Sequence, residues 1–316
     1  MLFDPVISDV SNAVVSTSVD QLALKLDCNA AGRTALSHRY MAYPLSVSPI
    51  FRLEENGRAA SANRAYLYRM NTSPGLLAGD RLGISLQLAA GAQLYLADQS
   101  ALKVHTMSDT ADCALDHALV NYRIEVGDRA TLEFLPEPVI LFADSALQQT
   151  TEIILHPSAA LSLGEIILPG RLARGEIYQF RQYCSRLRLR SPGGQVWFTE
   201  SMKLLGKENR FVQQALFSSG AVLGTLVLVL PEAIATQENL SALGAEIDAL
   251  ADDESSLVLA SSVLPGERGA GKKGLKERGL FVRAMAETTR EMQACFKSAV
   301  NCVRKLRGEA VLPYSL

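Results

Sequence analysis

Four acidic residues stand beside apolar runs in the middle of the chain. They are Asp80, Asp144, Glu165 and Glu176. A carboxylate in such surroundings needs a cationic partner, a water-filled path or a metal ion. One interpretation is that these acids cap turns or form salt bridges with nearby arginines such as Arg81, Arg171 and Arg174. The other is that they face a water-filled path or a metal.

The familiar motifs of catalysis and metal binding are missing from the sequence. It contains no His-Glu-x-x-His, no Cys-x-x-Cys, no Gly-x-Ser-x-Gly and no dinucleotide-binding glycine pattern. The histidines are far apart, at His38, His105, His117 and His156. They form a site only if the fold brings them together, and isolated surface or hydrogen-bonded histidines are the simpler interpretation. The five cysteines are an odd, scattered set without secretory context, which is typical of free, buried thiols.

One glycine-rich stretch imitates a phosphate-binding loop. Residues 266–273, Gly-Glu-Arg-Gly-Ala-Gly-Lys-Lys, match that pattern except at the last position. That position should be Ser or Thr, whose hydroxyl ligates Mg²⁺, and here it is Lys273. The segment from Gly279 to Arg283 predicts a strand, whereas a phosphate loop leads into a helix. The sequence therefore does not favour nucleotide binding.

Alternating strands must position the four acids. The pattern Ala-x-Leu-x-apolar occurs at Ala92–Leu96, Ala130–Phe134 and Ala159–Leu163, each time after an extended run and a small-residue turn. Alternation with period two is typical of half-buried strands. A repeated strand-corner-strand unit predicts strands stacked in a coil or folded into a sandwich, in which each unit buries its neighbour's apolar face.

Two helices are expected near the C-terminus, at residues 234–252 and 287–307. The second carries an apolar stripe that includes Met292, Phe296 and Val300, with acids in its first turns and Arg304 and Lys305 in its last. This stripe is either core packing or, in part, a docking face for a helical partner. No linker interrupts the chain, so we expect a single domain over residues 1–316. Its class is mainly β, a coiled β-helix-like or distorted sandwich body with two C-terminal helices.

Composition excludes several partner classes. The 316 residues are 48% hydrophobic and 20% charged, with a net charge of −2. This balance does not indicate nucleic acid or an acidic membrane surface as a partner. The first 19 residues lack the pattern of a signal peptide, and the apolar run near Val222 is too short to span a membrane. We therefore expect a soluble, cytoplasmic protein.

Several segments together resemble the urease accessory protein D family, called H in some bacteria. The resemblance is carried by Gly32-Arg33-Thr34 and Pro44-Leu45-Ser46-Val47; by Pro74-Gly75-Leu76 with Gly79-Asp80-Arg81-Leu82; by Leu132-Glu133-Phe134-Leu135-Pro136-Glu137; and by Gly164-Glu165-Ile166 with Gly170-Arg171 and Arg174-Gly175-Glu176. There are departures: Thr72-Ser73-Pro74-Gly75 replaces a Pro-Pro-Gly-Gly run, and Ala78-Gly79 replaces a double glycine before Asp80. These departures put the geometry of the local turns in question.

The resemblance implies a scaffold rather than an enzyme. Members of this family bind urease apoprotein, a helical accessory protein F and the GTPase G, and take part in delivering nickel through a polar passage. No tightly bound cofactor is implied, only transient Ni²⁺. Nickel binds imidazole and thiolate tightly, so a passage that must release the ion favours carboxylates, carbonyls and water. We therefore expect the four acids to line the passage, with Asp80 and Glu176 preferred because their motifs match the family.

A second class of function stays open. The same acids could belong to a small-molecule-binding β protein, or to a hydrolase that uses carboxylates on two sides of a cleft. A scaffold should be recovered together with its partners, whereas an enzyme should turn over a substrate by itself.

Overall fold

The alternating segments of the sequence form strands, and the 3.6-residue patterns form helices. The computed structural model describes residues 20–53, 63–107, 116–207, 221–251, 256–268 and 275–313. Within these ranges the elements are β1 Leu22–Cys28, β2 Thr34–Met41, β3 Leu45–Val47, β4 Ala65–Asn71, β5 Arg81–Leu88, β6 Gln93–Asp98, β7 Leu102–Val104, β8 Ala118–Val126, β9 Thr131–Leu135, β10 Val139–Leu141, β11 Ala146–Leu155, β12 Ala160–Leu168, β13 Gln182–Arg190, β14 Val196–Leu204, β15 Val222–Val229, α1 Gln237–Asp248, β16 Val258–Arg268, β17 Leu275–Ala286 and α2 Thr289–Leu306.

The strands form two sheets that face each other. Sheet A has the order β14-β13-β11-β8-β5-β1-β2. Sheet B has the order β16-β17-β15-β12-β9-β6-β4-β3, and the short strands β10 and β7 attach to it beside β12. One apolar core lies between the sheets and a second lies between sheet B and the two helices. The molecule thus has three layers, sheet A, sheet B and helices.

The central strands wind as a coil between the two sheets. The chain passes from β5 in sheet A to β6 in sheet B, then from β8 to β9 and from β11 to β12, and each coil stacks in parallel on the preceding one. The predicted repeats occupy equivalent positions, because Gln93 pairs with Thr131 and Thr131 pairs with Ala160. The prediction of a mainly β, coiled and sandwich-like body is therefore confirmed.

Both predicted helices are present and lie against sheet B. Helix α1 packs on β16 and β17, and α2 packs on β12, β15 and β17. Helix α2 begins after Thr288, whose hydroxyl accepts a hydrogen bond of 3.2 Å from the backbone N–H of Glu291. The apolar stripe, including Met292, Phe296 and Val300, is buried, so the core-packing interpretation of this stripe is confirmed. Each helix is shorter than predicted, because capping residues inside the predicted ranges fix the first turns.

Two polar segments lie beside strands. Lys103 and Val104, at the start of the polar segment that runs to His117, belong to β7, which pairs in parallel with β10; residues 108–115 lie outside the described ranges. The stretch that resembles a phosphate-binding loop extends into residues 269–274, which also lie outside the described ranges. Its flanks, β16 and β17, pair as antiparallel strands. The segment after the loop is therefore a strand, as predicted from Gly279 to Arg283.

Candidate functional site

A polar layer crosses the otherwise apolar space between the sheets. In β12 the side chains of Leu161, Leu163 and Ile167 belong to the core between the sheets, and Glu165 has the same parity. A cavity of about 50 Å³ lies at this level and is lined by Glu165. At ~10–15 Å³ per water-sized sphere, the cavity has room for roughly three to five water molecules. One carboxylate therefore faces a small polar space inside the body.

Three neutral donors from sheet A hold Glu165. The hydroxyl of Tyr183 donates to its Oε1 at 2.7 Å, Ser185 Oγ donates at 3.3 Å, and the side-chain amide of Gln149 donates to the same oxygen. Burial raises the pKa of Glu165 above its ordinary value, while the bonds from Tyr183 and Ser185 and the nearby Arg283 act in the opposite direction. The carboxyl is thus held by hydrogen bonds without a direct ion-pair partner among the described residues.

On one side of Glu165 the cavity is closed by a buried ion pair. Arg69 donates from Nε and from one terminal nitrogen to the two oxygens of Asp98, both at 2.7 Å, and from the other terminal nitrogen to Tyr122 Oη at 2.8 Å. Its guanidinium also lies 5.4 Å from the ring centre of Phe134. The side chains of Arg69 and Asp98 are only 8% and 6% exposed. Burial alone would lower the pKa of Arg69, but Asp98 and Tyr122 raise it above the ordinary value.

On the other side lies a second ion pair, between Arg283 of β17 and Glu200 of β14. The same guanidinium lies 3.3 Å from Thr225 Oγ1 and 3.5 Å from Met202 Sδ. The two charged side chains are 43% and 25% exposed, much more than the first pair. The edge strand β14 of sheet A is therefore joined to β17, the second strand of sheet B, by a half-exposed ion pair.

These ion pairs separate three spaces that lie side by side across the sandwich. Beyond Arg69 and Asp98 is a smaller cavity of about 20 Å³, which Leu82 and Asn71 also line. Beyond Arg283 and Glu200 is an open groove of about 480 Å³ between the edges of the two sheets. From β5 to β14 there are four strand spacings in sheet A, roughly 19 Å at ~4.8 Å each. The polar layer thus runs across the strands, along the stacking direction of the coils.

The structure places the other three predicted acids outside this layer. Asp80 is exposed and caps the turn before β5, since its Oδ2 accepts from the backbone N–H of Leu77 at 2.8 Å. In that turn only Gly79 has a left-handed backbone, with φ +84°, so the missing glycine at Ala78 does not disturb it. Asp80 lies two residues before Leu82 in the sequence, close to the smaller cavity.

Asp144 and Glu176 are paired with cations near the other end of the row. Asp144 forms an ion pair with Lys207. Glu176 accepts two hydrogen bonds from Arg171, one of them 2.8 Å long from Nε, and this partner lowers the pKa of Glu176. Tyr178, two residues after Glu176, lines the open groove. The ion pairs and turn cap expected under the simpler interpretation thus exist, and the passage remains a prediction.

Sequence reasoning missed three acids that line the central cavity, Asp98, Glu137 and Glu200. Asp98 continues the inward parity of Leu94 and Leu96 in β6 and could have been found by extending that alternation. Glu200 lies in β14. The alternation of β14 predicts which of its side chains share a face, but not which strand of the other sheet that face meets. Burial raises the pKa of Glu137 above its ordinary value. These acids make the cavity lining more acidic than the sequence indicated.

A second buried charge cluster lies under α2, on the opposite face of sheet B. Arg304 donates to Glu133 from Nε at 2.9 Å, and Arg64 lies 3.7 Å from the same carboxylate. Burial alone would raise the pKa of Glu133, but Arg64 and Arg304 lower it below the ordinary value. Arg64 also binds Glu309 at 2.7 Å, beyond the end of α2. This cluster attaches the helix and the following residues to the sheet.

The histidines do not converge. His105 packs edge-on against Phe142, His117 binds Asp116, and His156 lies 3.6 Å from Asp128. Among the described residues, no group of three or more His, Cys, Asp or Glu side chains is arranged to hold a metal ion.

Burial raises the pKa of the Cys295 thiol to about 11, as expected for a free buried cysteine. Within the ranges that the structure describes, neither α1 nor α2 is both long enough and apolar enough to cross a bilayer.

Comparison with known proteins gives the family. Residues 19–314 match the family model described as UreD urease accessory protein. A urease accessory protein UreD of Trichodesmium erythraeum is 43% identical over 298 residues, covering 94% of this chain and 99% of that protein. Proteins of the same name from Actinobacillus pleuropneumoniae serotype 5b and Haloarcula marismortui are 28% and 27% identical, each over 88% of this chain and over 94% and 83% of their own length. This chain therefore belongs to the UreD family of urease accessory proteins.

Proposed function

We propose that this protein is a non-catalytic scaffold of urease maturation that also conducts Ni²⁺ through its interior. It acts in the cytoplasm, where it binds urease apoprotein and the accessory proteins F and G. Membership in the UreD family supports an accessory role in urease maturation. The observation that carries the nickel route is Glu165, an acid with a raised pKa that faces a polar cavity inside an apolar body.

The chemistry of the lining suits transport better than storage. Among the described residues, the polar groups that line the two cavities and the groove are carboxylates, hydroxyls and amides together with the cations Arg69, Lys203 and Arg283; neither imidazole nor thiol is among them. Nickel prefers nitrogen and sulfur ligands, so oxygen donors hold it weakly and release it readily. The four acids predicted from the sequence would then have two roles. Glu165 acts inside, while Asp80 and the pair Asp144 and Glu176 act near opposite ends of the row.

The alternative, a small-molecule-binding protein or hydrolase, gains no support from the cavity. Its volume of about 50 Å³ is far below the ~300–1,000 Å³ of ordinary ligand pockets. A hydrolase that acts through two carboxylates also needs room for a substrate between them. The central cavity has room for water or a small ion only.

The test is to replace each acid by its amide in cells that depend on this protein for urease activation. Glu165→Gln should lower the nickel content of purified urease several-fold, because an amide cannot ionise when a cation arrives at the centre of the route. Asp80→Asn, Asp144→Asn and Glu176→Gln should have smaller effects, since these side chains are more exposed or already paired. The matched control is Glu152→Gln on the outward face of β11, which should leave the nickel content unchanged.

Co-purification of tagged protein with urease and the accessory proteins must accompany this test. All variants should retain their partners, which separates conduction from docking. Equal nickel content with Glu165→Gln and Glu152→Gln, at equal complex recovery, would contradict the nickel route. Failure of the unaltered protein to co-purify with urease or any accessory protein would contradict the scaffold role.

A further inference from the structure

The central cavity and the open groove share part of their lining. Only Glu200, Met202 and Arg283 belong to both among the described residues. The side chains that separate the two spaces are therefore one ion pair and one thioether. Whatever reaches Glu165 from the groove must pass these three side chains.

The two ion pairs that bound the central cavity differ in how firmly they are held. Arg69 and Asp98 are buried, form two bonds of 2.7 Å, and are supported by Tyr122 and Phe134. Separating Arg69 from Asp98 would leave two buried charges with neither a partner nor solvent, which is energetically costly. Arg283 and Glu200 are about a third exposed on average, so water can replace the contact when it breaks. The first pair is therefore held more firmly, and the second can open at lower cost.

The contacts of Arg283 do not prevent it from swinging outward. Its additional partners are a hydroxyl at 3.3 Å and a thioether at 3.5 Å, both weak, and the ring of Phe281 at 5.1 Å. Its 43% exposure shows that solvent already reaches the side chain. When the guanidinium leaves, the carboxylate of Glu200 is released at the cavity wall and adds a second acid to the side where Glu165 lies.

We propose that the Arg283–Glu200 pair is a movable barrier, and that the groove between β14 and β16 is the entrance through which small cations and water reach Glu165. This inference rests on the proposed nickel route for its biological purpose, and the barrier itself can be tested without urease or nickel. The occupant that fits is a small hydrated divalent cation, since it can compete with Arg283 for Glu200.

The experiment measures access to the cavity with a chemical probe. Thr151→Cys places a thiol in the cavity lining, and the full-length chain is treated with methyl methanethiosulfonate, a small neutral reagent. The thiolate attacks the reagent's sulfur, forms a mixed disulfide and releases methanesulfinate. Mass spectrometry of the tryptic peptide 130–171, which contains no native cysteine, gives the modification rate at residue 151.

Adding Arg283→Met should raise this rate about two- to fivefold, in line with the small contribution of a half-exposed ion pair. Glu200→Gln, which keeps the side-chain volume, should reproduce the increase. In the protein with the intact pair the rate should also rise with salt up to ~1 M, since salt screens exposed charges. That salt effect should disappear with Arg283→Met.

Two controls make the result decisive. Arg188→Met removes a similarly exposed partner of Glu152 on the outer face of sheet A and should leave the rate unchanged. The buried native thiol of Cys295 reports global opening, and its rate should be the same in all variants. Equal rates for Arg283→Met, Glu200→Gln and Arg188→Met would overturn the barrier. So would an increase seen only with Asp98→Asn. If the access rates support the barrier but Glu165→Gln leaves nickel delivery intact, the proposed nickel route is contradicted while the barrier is not.

Discussion

Two acids on opposite faces of sheet B, the buried Glu133 and the half-buried Glu165, have opposite electrostatic properties. Glu133 lies between Arg64 and Arg304, which lower its pKa despite burial. Glu165 is held by neutral donors, and burial raises its pKa. The first is therefore a structural charge, because its removal takes a shared carboxylate from two buried arginines. Ionisation of the second costs stability, which is typical of a functional site.

This contrast predicts a pH-dependent stability change for Glu165→Gln. A carboxyl whose pKa is raised in the folded state contributes stability that is fully present below its unfolded pKa of ~4.3 and is lost as pH rises through the folded value. The amide variant cannot ionise, so it should be more stable than the unaltered protein near pH 8. The difference should shrink towards pH 5. Urea unfolding at several pH values measures it.

Glu133→Gln is the contrasting variant, and its effect has the opposite sign. Its lowered pKa means that its contribution is present above ~4.3 and is lost as pH falls through the lower folded value. At neutral pH its replacement should cost about 3–5 kcal/mol, as when one partner of a buried ion pair is removed. A loss of stability at pH 8 with Glu165→Gln as large as that with Glu133→Gln would contradict the assignment of the two roles.

At the scale of elements, helix α2 sits unusually close to sheet B. A Cβ atom at Gly224 of β15 would lie 2.2 Å from Met292 Sδ and 2.9 Å from Phe296 Cζ. The glycine thus allows the close approach that buries the apolar stripe of α2. The helix in turn covers the outer face of the strands whose inner face forms the polar layer.

Gly224→Ala should therefore destabilise the protein by about 1–3 kcal/mol, the usual cost of overpacking a core. The matched control is Gly193→Ala in the turn after β13, where the nearest atom is 3.7 Å away and no left-handed backbone is required. Thermal unfolding of the two variants should show a clear loss for the first and little change for the second. Equal melting temperatures would show that α2 can shift without cost.

Local sequence patterns predicted the strands and helices better than they predicted which elements pack against each other. The repeats beginning at Ala92, Ala130 and Ala159 predicted the coil, because each unit exposes an apolar face that only its neighbour can cover. The apolar stripe of α2 predicted a buried helix. Glu165 was found because it interrupts an apolar strand. Glu200 was not found, since its role depends on β17 facing it across two sheets, and a single strand's alternation does not specify that register.

The whole molecule combines a packed apolar body with one polar layer. The two apolar cores hold sheet A, sheet B and the helices together, while the polar layer crosses the space between the sheets from the smaller cavity to the groove. Burying many polar groups in one layer lowers the stability of the fold unless the groups are hydrogen-bonded. The polar layer is the part of the structure on which the proposed nickel route depends.

The most direct test of this account is the initial rate of nickel incorporation into urease in a reconstituted complex. Purified urease apoprotein and accessory proteins are combined with saturating Glu165→Gln or Glu152→Gln protein, Ni²⁺ is added, and urease-bound nickel is measured over time. We predict complexes of equal composition and a rate several-fold lower for Glu165→Gln. Equal rates from equal complexes would contradict conduction through the polar layer.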